Sequence, residues 1–279
     1  MTRAAILAVF ACACARETGT TSSEESIIGG ETASTSQFKT VVALEERAGD
    51  WFCTGTLVDE HWVITAAHCV EGETADDLQV RFDADNVDNA TGTTVVTIAA
   101  IHADPDFADS WPHDIAVMEL SDAVTDRDAT PIHRGTVALG TTVTQVGYGG
   151  DSATGSGAGI LRALDTPSVD CAQVGDASVT NTTDLCFDAS DGTATCHGDS
   201  GGPALVAIGD GFEIAGITSG GTGSDCGDGW DLETAVAGEL DFVDQYVPKS
   251  RGGGCDAGGG AAGCAPIVAF ALRFRRRRR

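Results

Sequence analysis

The chain has 279 residues, 42% of them hydrophobic, enough to bury a sizeable core as one large all-β domain or two ordinary ones. Lys and Arg number 16 against 42 Asp and Glu, a formal net charge of −26 at pH 7. Between Ile27 and Pro248 the excess is steeper, 38 acidic side chains against 6 basic, which argues against nucleic acid as a partner because a phosphate backbone draws cationic surfaces. An acidic, solvated surface is the plainer reading of that charge.

Residues 1–15, "MTRAAILAVFACACA", carry one Arg and then an apolar run ending in small residues. That is the outline of an export signal, and it is too short to span a membrane. Cys12, after "VFA", resembles the lipid-acceptor Cys of bacterial lipoproteins, so lipid or cell-surface attachment is one expectation; Cys14 is given no role. Residues 16–26, "RETGTTSSEES", are polar with nothing to bury and are assigned as a propeptide. Export to the outside of a bacterial cell implies an oxidising compartment, so the cysteines are read first as disulfides.

From 27 to 248 short β-branched runs alternate with Gly, Asp, Asn and Thr clusters: "TVVAL", "GTLV", "WVIT", "VTIAAI", "TVTQVGYG", "ALVAI" and "FEIAGIT". Short strands at this spacing predict an all-β barrel or sandwich. Near the end, "AGELDFVDQYV" sets Leu240, Val243 and Val247 at helical spacing and predicts a short terminal helix. Residues 249–279 change character. "GGGCDAGGGAAGC" is a Gly-rich linker holding Cys255 and Cys264, followed by the apolar "APIVAFAL" and the basic "RFRRRRR". The apolar part is well short of the ~20 residues a transmembrane helix needs. The layout resembles the C-terminal sorting tails of myxobacterial surface proteins; a plain unstructured end is the alternative.

Chemistry concentrates in three places. "CHGDSGGP" (196–203) sets Ser200 between an Asp and two glycines. A serine hydroxyl needs a base to take its proton, and the base needs an acceptor to fix its tautomer. "VITAAHCV" supplies His68 after an apolar strand, and "HDIAVMEL" supplies Asp114 at the head of another. The order His, Asp, Ser is that of the chymotrypsin-type triad. Singly, each residue reads as an ordinary turn or cap residue; jointly they do not. His102, His113 and His133 lack such company and are read as ordinary surface or turn residues; His61 is unassigned.

With "IIGG" at 27–30, 41 residues before His68, and Asp114 46 residues after it, residues 27–248 resemble the trypsin-like serine endopeptidases. The resemblance implies two six-stranded antiparallel β-barrels with the active site between them and a short C-terminal helix. It implies His68, Asp114 and Ser200 as the triad and the backbone N–H groups of Gly198 and Ser200 as the oxyanion hole. It pairs Cys53 with Cys69, Cys171 with Cys186 and Cys196 with Cys226. It also implies a zymogen, in which cleavage after Ser26 frees an α-ammonium on Ile27 to pair with Asp199. Ser26 is neither Lys nor Arg, so the activating protease is not one of tryptic preference.

Substrates are expected to be proteins or peptides. The position that is a pocket-floor Asp in trypsin is Ala194 here, which removes the main cause of a basic preference. Ser219 to Gly221 are expected to pair with the substrate backbone, with Gly221 leaving the pocket wall open. Asp231, counted back from "LDFV", falls at a pocket position where crab collagenase-type relatives keep an Asp and accept basic and apolar residues; a slip of one or two residues would make it a surface carboxylate. No cofactor and no metal is implied, calcium at "DADNVDN" (83–89) being the one metal the composition suits. A catalytically silent relative serving as a binding or adhesion module is the competing class. A nucleophile-elbow esterase fails, because no His follows Ser200.

Overall fold

The computed structural model describes residues 27–108 and 112–249. The segments expected as export signal (1–15) and propeptide (16–26, with Ser26), and the tail with Cys255 and Cys264, lie outside the described residues, as do Cys12 and Cys14. Among the described residues no helix is long and apolar enough to cross a membrane.

Six strands form a closed antiparallel barrel in the order β2-β3-β4-β7-β6-β5: β2 (Val41–Glu46), β3 (Trp51–Asp59), β4 (Trp62–Thr65), β5 (Leu78–Phe82), β6 (Thr94–Ala103) and β7 (Ala116–Leu120). β5 shows why this sequence makes such a wall. Leu78, Val80 and Phe82 are fully buried while Gln79 and Arg81 between them reach solvent, the two-residue period of a strand with one wet face.

The second sheet runs β1-β9-β8-β11-β12-β13-β10. Its members are β1 (Glu31–Thr32), β8 (Thr142–Gly147), β9 (Arg162–Pro167), β10 (Asp184–Asp188), β11 (Pro203–Ile208), β12 (Gly211–Gly221) and β13 (Trp230–Ala235). Six are full strands, as expected; β1 is a two-residue addition on β9, and the ladder does not close as the first one does. One continuous core joins the two halves, with Leu57, Ile64 and Met118 of the barrel clustered with Val146, Leu205 and Ile217 of the second sheet.

The terminal helix is shorter than its pattern suggests. α1 spans Leu240–Val243. Beyond it Tyr246 stacks on His102 of β6 at 4.0 Å, which anchors the end of the domain on the barrel and gives His102 a structural role. Disulfides join Cys53–Cys69, Cys171–Cys186 and Cys196–Cys226, the three expected pairs.

Candidate active site

His68 follows β4 through the buried Ala66 and Ala67, and the Cys53–Cys69 bridge ties the next residue back to β3. Asp114 lies two residues before β7 and is 2% exposed. Its Oδ1 accepts the His68 backbone N–H at 2.9 Å, and its Oδ2 faces His68 Nδ1 at 2.6 Å. A carboxylate in that place keeps the proton on Nδ1 and leaves Nε2 free to accept.

The same Oδ2 accepts the Ser219 hydroxyl at 2.6 Å. Ser219 reaches it because β12 bulges there: Thr218 pairs with Glu233 and Gly220 with Leu232, so Ser219 has no partner on β13. Bulges re-aim side chains in this way. Thr234 of β13 adds a bond from its hydroxyl to the Asp114 carbonyl, 3.1 Å.

Ser200 sits on the turn before β11, pressed on the barrel. Thr54 of β3 donates its N–H to the Ser200 carbonyl at 2.8 Å and its hydroxyl to the Gly198 carbonyl at 2.8 Å. Gly198 has φ +101° and Gly201 φ +78°, backbone that only glycine adopts without strain. A Cβ on Gly198 would also strike the Trp51 ring. Among the described residues no group accepts the Gly198 or Ser200 N–H.

His68 and Ser200 open on one cavity of about 320 Å³, whose walls include Ala194, Ser219, Gly221 and Asp231. The sequence-derived pocket residues are therefore together, Asp231 included. Asp231 is 4% exposed, its carboxylate accepting the Thr195 N–H and hydroxyl at 3.0 and 2.8 Å and the Gln145 side-chain amide at 3.1 Å. Burial pushes it above the usual carboxylate range. Thr195, Gln145 and Glu233 complete this buried layer, and sequence reading did not single them out.

Asp199 is 1% exposed and does not line the cavity. Its oxygens accept the Gly149 N–H at 2.7 Å and the Cys196 N–H at 2.8 Å, and burial pushes its carboxyl up to about 7. Ile27 is fully buried, and Ile28 bridges to Ala194, five residues before Asp199.

In the 83–89 segment Asp83 and Asp85 are engaged by protein partners. Asp83 takes the Arg127 guanidinium at 2.9 Å through each oxygen, and Asp85 Oδ1 accepts the Thr35 N–H at 2.7 Å and its hydroxyl at 2.8 Å. Among the described residues, two other groups bring three ligating atoms together. One is Cys53, His68 and Cys69, whose sulfurs are spent in the disulfide; the other is Asp104, His113 and Glu239.

A barrel and sheet that meet at a Ser, a His and a buried Asp define the serine-protease class of fold. The Trypsin family model matches residues 27–242, and the chain belongs to that family. It is 35% identical over 206 residues to brachyurin from Leptuca pugilator, covering 69% of this chain and 86% of that one. It is 28% identical to chymotrypsin-like elastase family member 1 from Bos taurus (69% and 78% covered) and 28% identical to trypsin from Sus scrofa (81% and 98%).

Proposed function

We propose that this chain is an exported serine endopeptidase, made as a zymogen and activated by cleavage before Ile27. The observation that carries the reading is the Asp114–His68 pair, 2.6 Å apart, opening on the cavity that Ser200 shares. In this mechanism His68 Nε2 takes the Ser200 proton as Oγ attacks the scissile carbonyl. Asp114 keeps Nδ1 protonated and stabilises the imidazolium. The Gly198 and Ser200 N–H groups receive the oxyanion, where a single donor is worth about 3 kcal/mol. His68 then passes its proton to the leaving amine, and water releases the acyl group by the reverse sequence. In the activation step the new α-ammonium of Ile27 pairs with Asp199, whose burial without a cation is costly.

Asp231 is the buried acid of a cavity that Asp225 and Asp228 also line, so side chains of both basic and apolar character are accepted. A cleavage profile on a mixed peptide library tests this, using protein matured to begin at Ile27 and Ser200→Ala as control. Cuts after Lys, Arg and apolar residues are expected. Cleavage after apolar residues alone would remove Asp231 from specificity, and a profile no different from the control would favour a silent binding module.

A further inference from the structure

Behind the pocket wall lies a second carboxyl group that the proposed reaction does not use. Glu233 and Asp231 are two residues apart on β13, so they leave the same face of the strand. That face is turned into the protein, and Glu233 is 0% exposed. One amide joins the pair: Gln145 Nε2, from β8, donates to Asp231 Oδ2 at 3.1 Å and to Glu233 Oε1 at 2.8 Å.

The remaining donors are shared unequally. Asp231 has both Thr195 bonds, whereas Glu233 has only the Thr218 hydroxyl at 3.3 Å. Among the described residues Glu233 Oε2 has no partner, and neither has Gln145 Oε1. Oε2 lies against Gly216, where a Cβ would stand only 2.8 Å from it. Two carboxylates in so dry a place cannot both hold charge easily, and the one with more donors keeps it.

The other groups around Glu233 leave that assignment in place. Asp199, from the turn before β11, adds negative potential in the uncut chain, and the Ile27 ammonium proposed to pair with it offsets that in the mature one. Arg162 of β9 directs its guanidinium to the Gly149 and Gly157 carbonyls and to Asp151, and its charge also bears on Asp199. β10 offers only Leu185 opposite Glu233, and β12 offers Thr218. Burial first, then the Asp231 charge, pushes the Glu233 carboxyl up to about 8.

We propose that Glu233 is a positioning residue of the specificity pocket: kept neutral beside Asp231 through the shared Gln145 amide, it sets the charge a basic substrate side chain meets, and it gives up its proton to solvent when such a side chain enters. The proposal rests on the reading of Asp231 as a pocket acid. A substrate cation beside Asp231 lowers the cost of a second negative charge, so acceptance of basic residues becomes sensitive to pH in a way that acceptance of apolar ones is not.

The test compares kcat/KM for matched peptides with Arg or Leu before the cut, from pH 6 to 9.5, in the mature enzyme, Glu233→Gln and Asp231→Asn. The Arg/Leu ratio is expected to rise several-fold between pH 7 and 9 in the parent and to stay flat in Glu233→Gln, which keeps the size of a neutral acid. A rise that survives in Glu233→Gln overturns the role of Glu233. A ratio that Asp231→Asn leaves unchanged instead overturns Asp231 as the pocket acid, and the proposal with it. Should Glu233→Gln not fold, calorimetry of benzamidine binding to the parent in buffers of different ionisation heat decides: proton release at pH 7.5 supports the proposal, and none overturns it.

Discussion

Ser219 and His68 share one oxygen: the Ser219 hydroxyl and His68 Nδ1 each stand 2.6 Å from Asp114 Oδ2. The two donors come from opposite halves of the molecule, so the carboxylate is fixed from both sides. Ser219→Ala removes a hydrogen bond to a charged group, a loss of about 1.5–3 kcal/mol. The expected result is a drop of roughly tenfold or more in kcat on a peptide substrate, with KM little changed. Asp114→Asn, which disturbs the tautomer itself, is expected to cost about 10⁴ in kcat. Equal losses in the two variants would show that Ser219 does more than steady the carboxylate.

Gly198→Ala tests the oxyanion assignment. Its φ of +101° and the Trp51 ring leave no room for a methyl group, so the loop must shift and the N–H must turn. A loss of about 10²–10³ in kcat is expected, with the His68 imidazole NMR signals unchanged. Near-normal turnover would place the oxyanion elsewhere.

Maturation is expected to change how stability responds to pH. In the uncut chain burial holds Asp199 near 7, above its unfolded value of 3.8. Between those two pH values the folded state keeps a proton that the unfolded state gives up, so stability falls as pH rises through that window. An α-ammonium beside the carboxylate cancels the burial effect and flattens the slope. Urea midpoints at pH 4.5 and 7.5 for Ser200→Ala protein, cut and uncut before Ile27, check this. The uncut form is expected to lose stability at the higher pH and the cut form to lose much less. Matching profiles would mean Ile27 does not partner Asp199.

The disulfides divide by role. Replacing Cys53 and Cys69 by Ser, or Cys196 and Cys226 by Ser, is expected to lower stability by roughly 2–4 kcal/mol, the second pair more because it closes 30 residues rather than 16. Only the second pair frees the residue whose N–H binds Asp199. Its loss is therefore expected to reduce kcat in molecules that are still folded, measured well below the unfolding midpoint.

His68, Asp114 and Ser200 could be singled out from sequence because each sits in a short local context: a strand end, a strand start and a glycine-built turn. β2, β4 and β11 were visible for the same reason, being runs of β-branched and apolar residues. β13 was not. In "WDLETA" the acids Asp231 and Glu233 alternate with Leu232 and Thr234, which reads as a strand with one solvated face, yet every residue from Asp231 to Ala235 is buried. Gln145 was hidden similarly: in "TVTQVG" it follows Thr144, yet its side chain is fully buried. Whether a carboxylate faces water or another carboxylate depends on the strand opposite, and no window of the chain contains that strand. Asp231 was located only by counting back from "LDFV", and that count placed it in the cavity wall.

Each half of the site is held by the other half of the molecule. The Ser200 turn belongs to the second sheet but hangs from Thr54 of the barrel, while Asp114 belongs to the barrel but is fastened by Ser219 and Thr234 of the second sheet. Because the fastenings are crossed, sliding the halves apart would release the Ser200 turn and the Asp114 carboxylate at the same moment. Turnover thus doubles as a gauge of docking: two fragments divided in the loop before β8 would be silent apart and would regain activity only on reassembly.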